Sequence, residues 1–462
     1  MAFSPIRKGI RHSSMSHYLT LLDQAFYDGH RAVGQKEVMQ VGWVYERPVD
    51  MDGLRRFHSH LSSGLLGRRV ERSPLPFGRH RWVADPHPAP LSIATRPRSR
   101  EDLSDWFDEC TQSHIDPESG PSWRLSLLPL NDGATAVSLV LSHYIVDGIG
   151  SALAVSEASL GMRRDLGYFE PQSRSWIKAA VQDLAQTLTD GPGVARAVVV
   201  AAHEARRRRE DVPRSGLPDA AMNNFTQAEA RVITPSVTIQ VKLAEWNNRA
   251  QGLNGSTNTL AAALTAQIDV MMGRRGDNGN DVPLLLTVND RQTLDDARAV
   301  AVTFARLKLD PKNLTDDLTG SRALIKHALV ELDKTPDRSS DLVALAPFTP
   351  TSAWRKLIDY ALNDPEKPAV CSTLGDTGHA AIRPDGTLCD TVFARGISQH
   401  MTASWLNRIG SLLHVYCGTA AELGTVAICV NAYHPGSVHN KADLREIVVR
   451  ALSEFGLTGD VG

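Results

Sequence analysis

The sequence predicts a mixed α/β protein of two similar halves, and three observations carry that prediction. The chain has 462 residues, 42% hydrophobic and 22% charged, enough for two cores of roughly 200 residues each. Apolar runs of strand length alternate with helical spacings on both sides of the middle. Between Asp190 and Ser215 the pattern breaks: Asp190-Gly191-Pro192-Gly193 stops one helix, an alanine- and valine-rich helix follows, and Arg206-Arg207-Arg208-Arg209-Glu210-Asp211-Val212-Pro213 ends it in charge. An N-terminal half over 1–190, a crossover linker over 191–225 and a C-terminal half over 226–462 are therefore expected.

In the first half, Pro121 to Leu128 reads as a strand, and Asn131-Asp132-Gly133 is a hairpin turn leading into the apolar run Ala136 to Leu141. Ile149, Ala152, Leu153 and Leu160 then fall at helical spacings. In the second half, Val237 to Leu243, Val282 to Val288, Ala299 to Leu309 and Gly424 to Ala432 read as strands. Helices are expected near Asn258 to Gly273, Asp317 to Leu332 and Lys441 to Phe455. Asp333 to Pro365, with prolines at 336, 347, 350 and 365, has no regular period and reads as an irregular excursion or a cover for a channel.

Ser142-His143-Tyr144-Ile145-Val146-Asp147-Gly148 carries the catalytic signal. On a period-two strand His143 faces the same way as Leu139 and Leu141, so its imidazole continues a buried face to the lip of a cavity. A free histidine titrates near pH ~6.5 and can both take and return a proton at neutral pH. Asp147 either contacts that ring or braces the loop; three intervening residues and the turn-permissive Gly148 favour the brace. Other motifs lead nowhere. Gly148-Ile149-Gly150 lacks the third glycine of a dinucleotide loop, His327 sits in a helical pattern, and no G-x-S-x-G elbow or Walker loop is present. His414 with Cys417, and His434 with His439, lack the further ligands of a metal site, so no metal is expected.

The strand-loop-helix corner at His143 resembles the superfamily of CoA- and carrier-dependent acyltransferases that share H-H-x-x-x-D-G: wax ester and diacylglycerol synthases, polyketide-associated acyltransferases and condensation domains of peptide synthetases. Pro121-Ser122-Trp123 is similar to the Pro-Leu-Trp element of wax ester synthases, and Gly255 to Ala263 to a threonine-then-asparagine helix start. Val282 to Arg291 resembles a strand ending in an arginine near the active site, and Ser372-Thr373-Leu374-Gly375 is similar to Ser-Asn-Leu-Gly. Ser142 stands where the first histidine falls, Thr259 follows Asn258 where wax ester synthases have aspartate, and Arg124 replaces a glutamate.

The resemblance implies two chloramphenicol-acetyltransferase-like halves, each a mixed sheet flanked by helices, with a channel between them. It implies His143 as general base, Asp147 paired with Arg291, a turn at Gly148, and Asn258 and Ser372 as oxyanion or channel residues. The expected activity is transfer of a fatty or polyketide-type acyl group from a CoA or carrier thioester to a hydroxyl acceptor. The alternatives are a stand-alone condensation enzyme with a carrier-bound donor and an amine or hydroxyl acceptor, or a silent scaffold of the same fold. No bound cofactor is expected, the acyl-CoA or phosphopantetheine thioester being a co-substrate; the partners are that thioester, an alcohol acceptor and, in one version, an acyl carrier protein.

A formal net charge of -2 and pI near 6.8 argue against nucleic acid. The five cysteines form no C-x-x-C, the basic start has no apolar signal region, and the apolar stretch Val194 to Ala202 is too short to span a bilayer. A cytoplasmic monomer is expected, with peripheral membrane contact left open. The run Arg206 to Arg209 is either a solvated helix face or a grip for anionic lipid, a CoA phosphate or an acidic carrier.

Overall fold

The computed structural model describes residues 17–211, 231–275, 281–334, 342–362 and 364–462, with the backbone alone over 202–211. The first half opens with α1 (Leu21–Val33), β1 (Lys36–Tyr45) and α2 (Met51–Leu61), followed by a two-stranded ribbon of β2 (Arg68–Glu71) and β3 (Arg81–Ala84). Next come β4 (Ser92–Ile93), α3 (Leu103–Thr111), β5 (Trp123–Pro129), β6 (Thr135–Ser142), α4 (Gly148–Ser159) and the long α5 (Trp176–Asp211). The second half runs β7 (Ser236–Lys242), α6 (Leu243–Gly252), α7 (Thr257–Met271), β8 (Val282–Asn289), β9 (Val302–Leu309), α8 (Thr319–Lys334) and α9 (Thr351–Leu362). It ends with β10 (Ala369–Asp376), α10 (Gly378–Ala381), β11 (Thr391–Gln399), α11 (Ala403–Ile409), β12 (Leu412–Ala420), β13 (Thr425–Tyr433), α12 (Lys441–Glu454) and β14 (Asp460–Val461).

Two mixed sheets flanked by helices result, the architecture the sequence predicts. The first has the order β11-β1-β6-β5-β4 and the second β14-β7-β13-β12-β10-β8-β9. All eight residues of β6 are buried, because the strand is central and covered on both faces, which is why it reads as an unbroken apolar run. Leu139 and Leu141 face one core, with Trp43, Phe57 and Trp123, while Ala136 and Val140 face another, with Trp106, Phe107 and Phe393. The second half has its own core between its sheet and α7 and α12.

β11 joins the halves. Although it lies late in the chain, it completes the first sheet by pairing antiparallel with β1, from Lys36 against Gln399 to Val44 against Thr391. It also touches the second sheet: the Asn431 side chain donates to the Gly396 carbonyl, and a Cβ added at Gly396 would sit 2.8 Å from the Tyr416 hydroxyl. Arg395, 4% exposed, donates to Gln40 Oε1 on β1 at 2.8 Å, to Ser236 Oγ on β7 at 2.6 Å and to Asp108 Oδ1 on α3 at 2.7 Å.

Two elements differ from the sequence expectation. α5 runs through Asp190-Gly191-Pro192-Gly193 without stopping. Proline costs a helix interior roughly 3 kcal/mol, but here the helix is held before the fault by ion pairs, Arg174 to Asp183 at 2.7 Å and Arg79 to Asp190 at 3.2 Å, and beyond it by the full burial of Ala197. The rest of the expected linker, 212–225, lies outside the described residues, as do the side chains of Arg206 to Arg209. The stretch read as irregular contains a 3-10 turn at Val343–Phe348 and the regular helix α9. Its prolines flank the helix instead of interrupting it, Pro350 preceding its first residue and Pro365 following its end; Pro336 lies outside the described residues. Trp354 and Ile358 of α9 lie against Gly29 of α1, where a Cβ would stand 3.5 and 3.7 Å from them, in ordinary contact.

Candidate active site

β6 ends at Ser142, and the chain folds back at once, with the Ile145 amide donating to the Ser142 carbonyl at 3.2 Å. His143 is anchored by its amide, which donates to the Glu37 carbonyl on β1 at 3.0 Å. Its ring is half-buried and meets the edge of Phe26 with centroids 5.4 Å apart; Phe26 in turn packs on the core that holds Leu139 and Leu141. Nδ1 is enclosed and has no hydrogen-bond partner among the described residues, so the side of the ring carrying Nε2 is the one left open. Burial pulls the imidazole pKa below its usual 6.5, with His30 adding to the effect and the ring's own backbone carbonyl, Asp147 and Glu37 opposing it. At neutral pH the ring is therefore an uncharged base.

Asp147 does not touch that ring. It is fully buried, and both its oxygens are engaged in holding the loop. Oδ1 caps α4 by accepting from the Gly150 amide at 2.7 Å, while Oδ2 accepts from Arg291 Nη2 at 2.9 Å and from the Ala301 amide at 2.7 Å. Of the two roles open on sequence, the geometry is that of the brace. Arg291, 3% exposed in its side chain, also donates to the carbonyls of Asp296 and Arg298. Gly148 and Gly150 leave space for this packing: a Cβ at Gly148 would lie 2.8 Å from Leu374 Cδ2, and one at Gly150 would lie 2.5 Å from Val146 Cγ2 and 3.1 Å from Arg291 Nη2.

Two buried charges that sequence reasoning missed complete the frame. Arg68 is wholly buried and lies over the Trp82 ring at 4.0 Å. It donates twice to the Ile145 carbonyl, at 3.2 and 2.6 Å, and once to the Ala297 carbonyl at 2.6 Å. Asp23 on α1 accepts from the Val300 amide at 2.7 Å. The β8–β9 loop of the second half is thus fixed to the first half at Arg291, Ala297, Val300 and Ala301. Only Asp23 left a trace in the sequence, as the partner of Thr20 in a capping box; a lone arginine such as Arg68 leaves none.

The oxyanion candidates separate. Ser372 is half-buried on β10, on the face opposite Cys371, and Leu374, at the irregularity two residues on, lies against Gly148. Its Oγ accepts from Thr287 Oγ1 at 2.9 Å, which leaves its own proton free to donate. Asn258 is exposed at the second position of α7, and the bonds around it, Ser256 to Thr259 and Thr257 to Asn247, do not reach the His143 loop. Beside Gly148 lies a narrow apolar cavity of about 40 Å³, walled by Val41, Ala152, Val155, Leu374, Phe393 and Ala394.

No family model matches the sequence, and no curated protein does. Solved structures match over nearly the whole chain. The first condensation domain of the CDA synthetase superposes with a TM-score of 0.56 at 12% identity, covering 97% of this chain and 100% of that one. The wax ester synthase/diacylglycerol acyltransferase from Marinobacter aquaeolei VT8 gives 0.55 at 16% identity, covering 95% and 98%. The trichothecene 15-O-acetyltransferase from Fusarium sporotrichioides gives 0.57 at 10%, covering 95% and 94%. The chain has the fold these condensation domains and acyltransferases share, in two halves along its full length.

Proposed function

We propose that the protein is an acyltransferase that moves a fatty or polyketide-type acyl group from a CoA or carrier thioester to a hydroxyl acceptor. The observation that carries this reading is His143: an uncharged imidazole at a strand end, one nitrogen enclosed and the other side open, on a loop fixed by Asp147, Arg291 and Arg68. The shared fold with enzymes named for ester and acyl transfer supports it.

In this mechanism Nε2 takes the proton of the acceptor hydroxyl as its oxygen bonds to the thioester carbonyl carbon. The carbonyl oxygen gains the negative charge, with the Ser372 hydroxyl as a donor toward it. As the intermediate collapses, the carbon-sulfur bond breaks and the imidazolium returns its proton to the thiolate. One residue serves both transfers and no acyl-enzyme forms. Asp147 is a positioning residue here, since its oxygens are already occupied.

Purified protein incubated with a panel of acyl-CoAs and alcohols, with mass detection of esters, tests the reading. His143→Ala should lower turnover by about 10²–10⁴ while leaving the fold intact. Wild-type turnover in that variant would remove His143 from the mechanism. A second reading, a condensation enzyme with a carrier-bound donor, is favoured by the condensation domains among its structural neighbours, one from the CDA synthetase and one from the Monacolin K polyketide synthase MokA. Activity with acyl-carrier thioesters and none with acyl-CoAs would select it.

A further inference from the structure

The long helix α5 presents an apolar face to the outside. Ile177, Val181, Leu184 and Leu188 are exposed by 70, 63, 46 and 72%, and Val198 and Val199 by 53 and 68%. At about 100° per residue these side chains, with Ala195 between them, fall within an arc of roughly 100°. From Ile177 to Val199 the band runs for about 33 Å at 1.5 Å per residue. Trp176, 68% exposed, stands at its start.

Charge is distributed unevenly around the helix. The acidic residues over 176–201 are Asp183 and Asp190, and both turn toward the body, where Arg174 and Arg79 hold them. Lys178 and Arg196 are exposed, and the helical wheel places both on one flank of the apolar arc. The outward face therefore carries cations and no carboxylate. An apolar arc this wide, edged by cations and opened by a tryptophan, suits an interface of hydrocarbon and anionic headgroups. Among the described residues no helix is long and apolar enough to cross a membrane, so the helix would lie along the surface.

We propose that α5 docks this protein on anionic lipid bilayers, with Ile177, Val181, Leu184 and Leu188 entering the acyl boundary and Lys178 and Arg196 meeting the headgroups. This surface is separate from the His143 loop, and its test does not depend on the acyltransferase reading.

Flotation of the full chain with phosphatidylcholine vesicles containing phosphatidylglycerol, against phosphatidylcholine alone, tests it. The protein should float with the anionic vesicles and much less with the neutral ones. Leu184→Glu with Leu188→Glu should weaken binding tenfold or more with an unchanged thermal melt, since both side chains are exposed. Lys178→Glu with Arg196→Glu should remove the preference for the anionic vesicles. Because all five native cysteines are buried, Leu188→Cys can also be labelled selectively with an environment-sensitive fluorophore, whose emission should shift to the blue on anionic vesicles. Failure of the wild type to float, unaltered binding by the double glutamate variant, or an unshifted label would each overturn the proposal. So would a lipid-independent dimer in sedimentation that the glutamate pair dissolves, for the band would then be covered by a second copy.

Discussion

At the scale of single residues, the chemistry depends on a histidine kept uncharged. Burial lowers the His143 pKa from 6.5, so the free-base form persists below the pH at which an exposed histidine would be half protonated. The acid limb of the kcat/KM profile should accordingly have its midpoint below about 6.5. The same depression bears on stability. The unfolded chain binds a proton at this site at a pH where the folded one does not, so stability rises with pH across that window and falls as pH drops below about 6.5. A pH-rate profile checks the first point, and a midpoint at or above 6.5 would contradict it. His143 was legible because a histidine and an Asp-Gly turn at the end of an apolar run form a recognisable pattern. Arg68 and Arg395 were not. A solitary arginine in a sequence looks like a surface residue, and only the fold shows it to be buried among carbonyls and carboxylates.

Among elements, the decisive contact is the β8–β9 loop against the start of α4. Asp147 and Arg291 are 144 residues apart in sequence and 2.9 Å apart in space, the pairing that the resemblance implied. Removing one member of a buried pair leaves the other charge stranded, at about 3–5 kcal/mol. Asp147→Ala and Arg291→Ala should each lower the unfolding free energy measured in urea by that order, and their double mutant should lose less than the sum. Strict additivity in the cycle would deny the coupling. Asp147→Ala should also be the more damaging of the two singles, because it uncaps Gly150 and frees the Ala301 amide besides. Strands and helices of steady period were readable in the sequence. α9 and the middle of α5 were not, because proline and glycine are judged locally, whereas Pro350 sits harmlessly before a helix and Pro192 follows Asp190, which Arg79 holds from far away in the sequence.

For the whole molecule, the two-sheet architecture could be read from alternating patterns, but the exchange of β11 could not. Its sequence, with Arg395 and Gly396 in the middle, does not read as a core strand, and nothing local says which sheet it will join. Arg395 ties β11 to β1, α3 and β7 at once. Arg395→Ala should therefore destabilise the protein by about 3 kcal/mol, near the low end for a broken buried pair, since Lys441 still faces Asp108 at 2.7 Å. Urea unfolding checks the size, and an unchanged midpoint would mean that the seam does not depend on this side chain. The exchanged strand also sets a clock on biosynthesis. Lys36 pairs with Gln399, 399 minus 36 or 363 residues later, and at about 5–20 residues per second the ribosome needs roughly 20–70 s to supply the partner. Throughout that interval the outer edge of β1 has no neighbour. The nascent first half must wait, open-edged, for a strand that follows β1 by 363 residues.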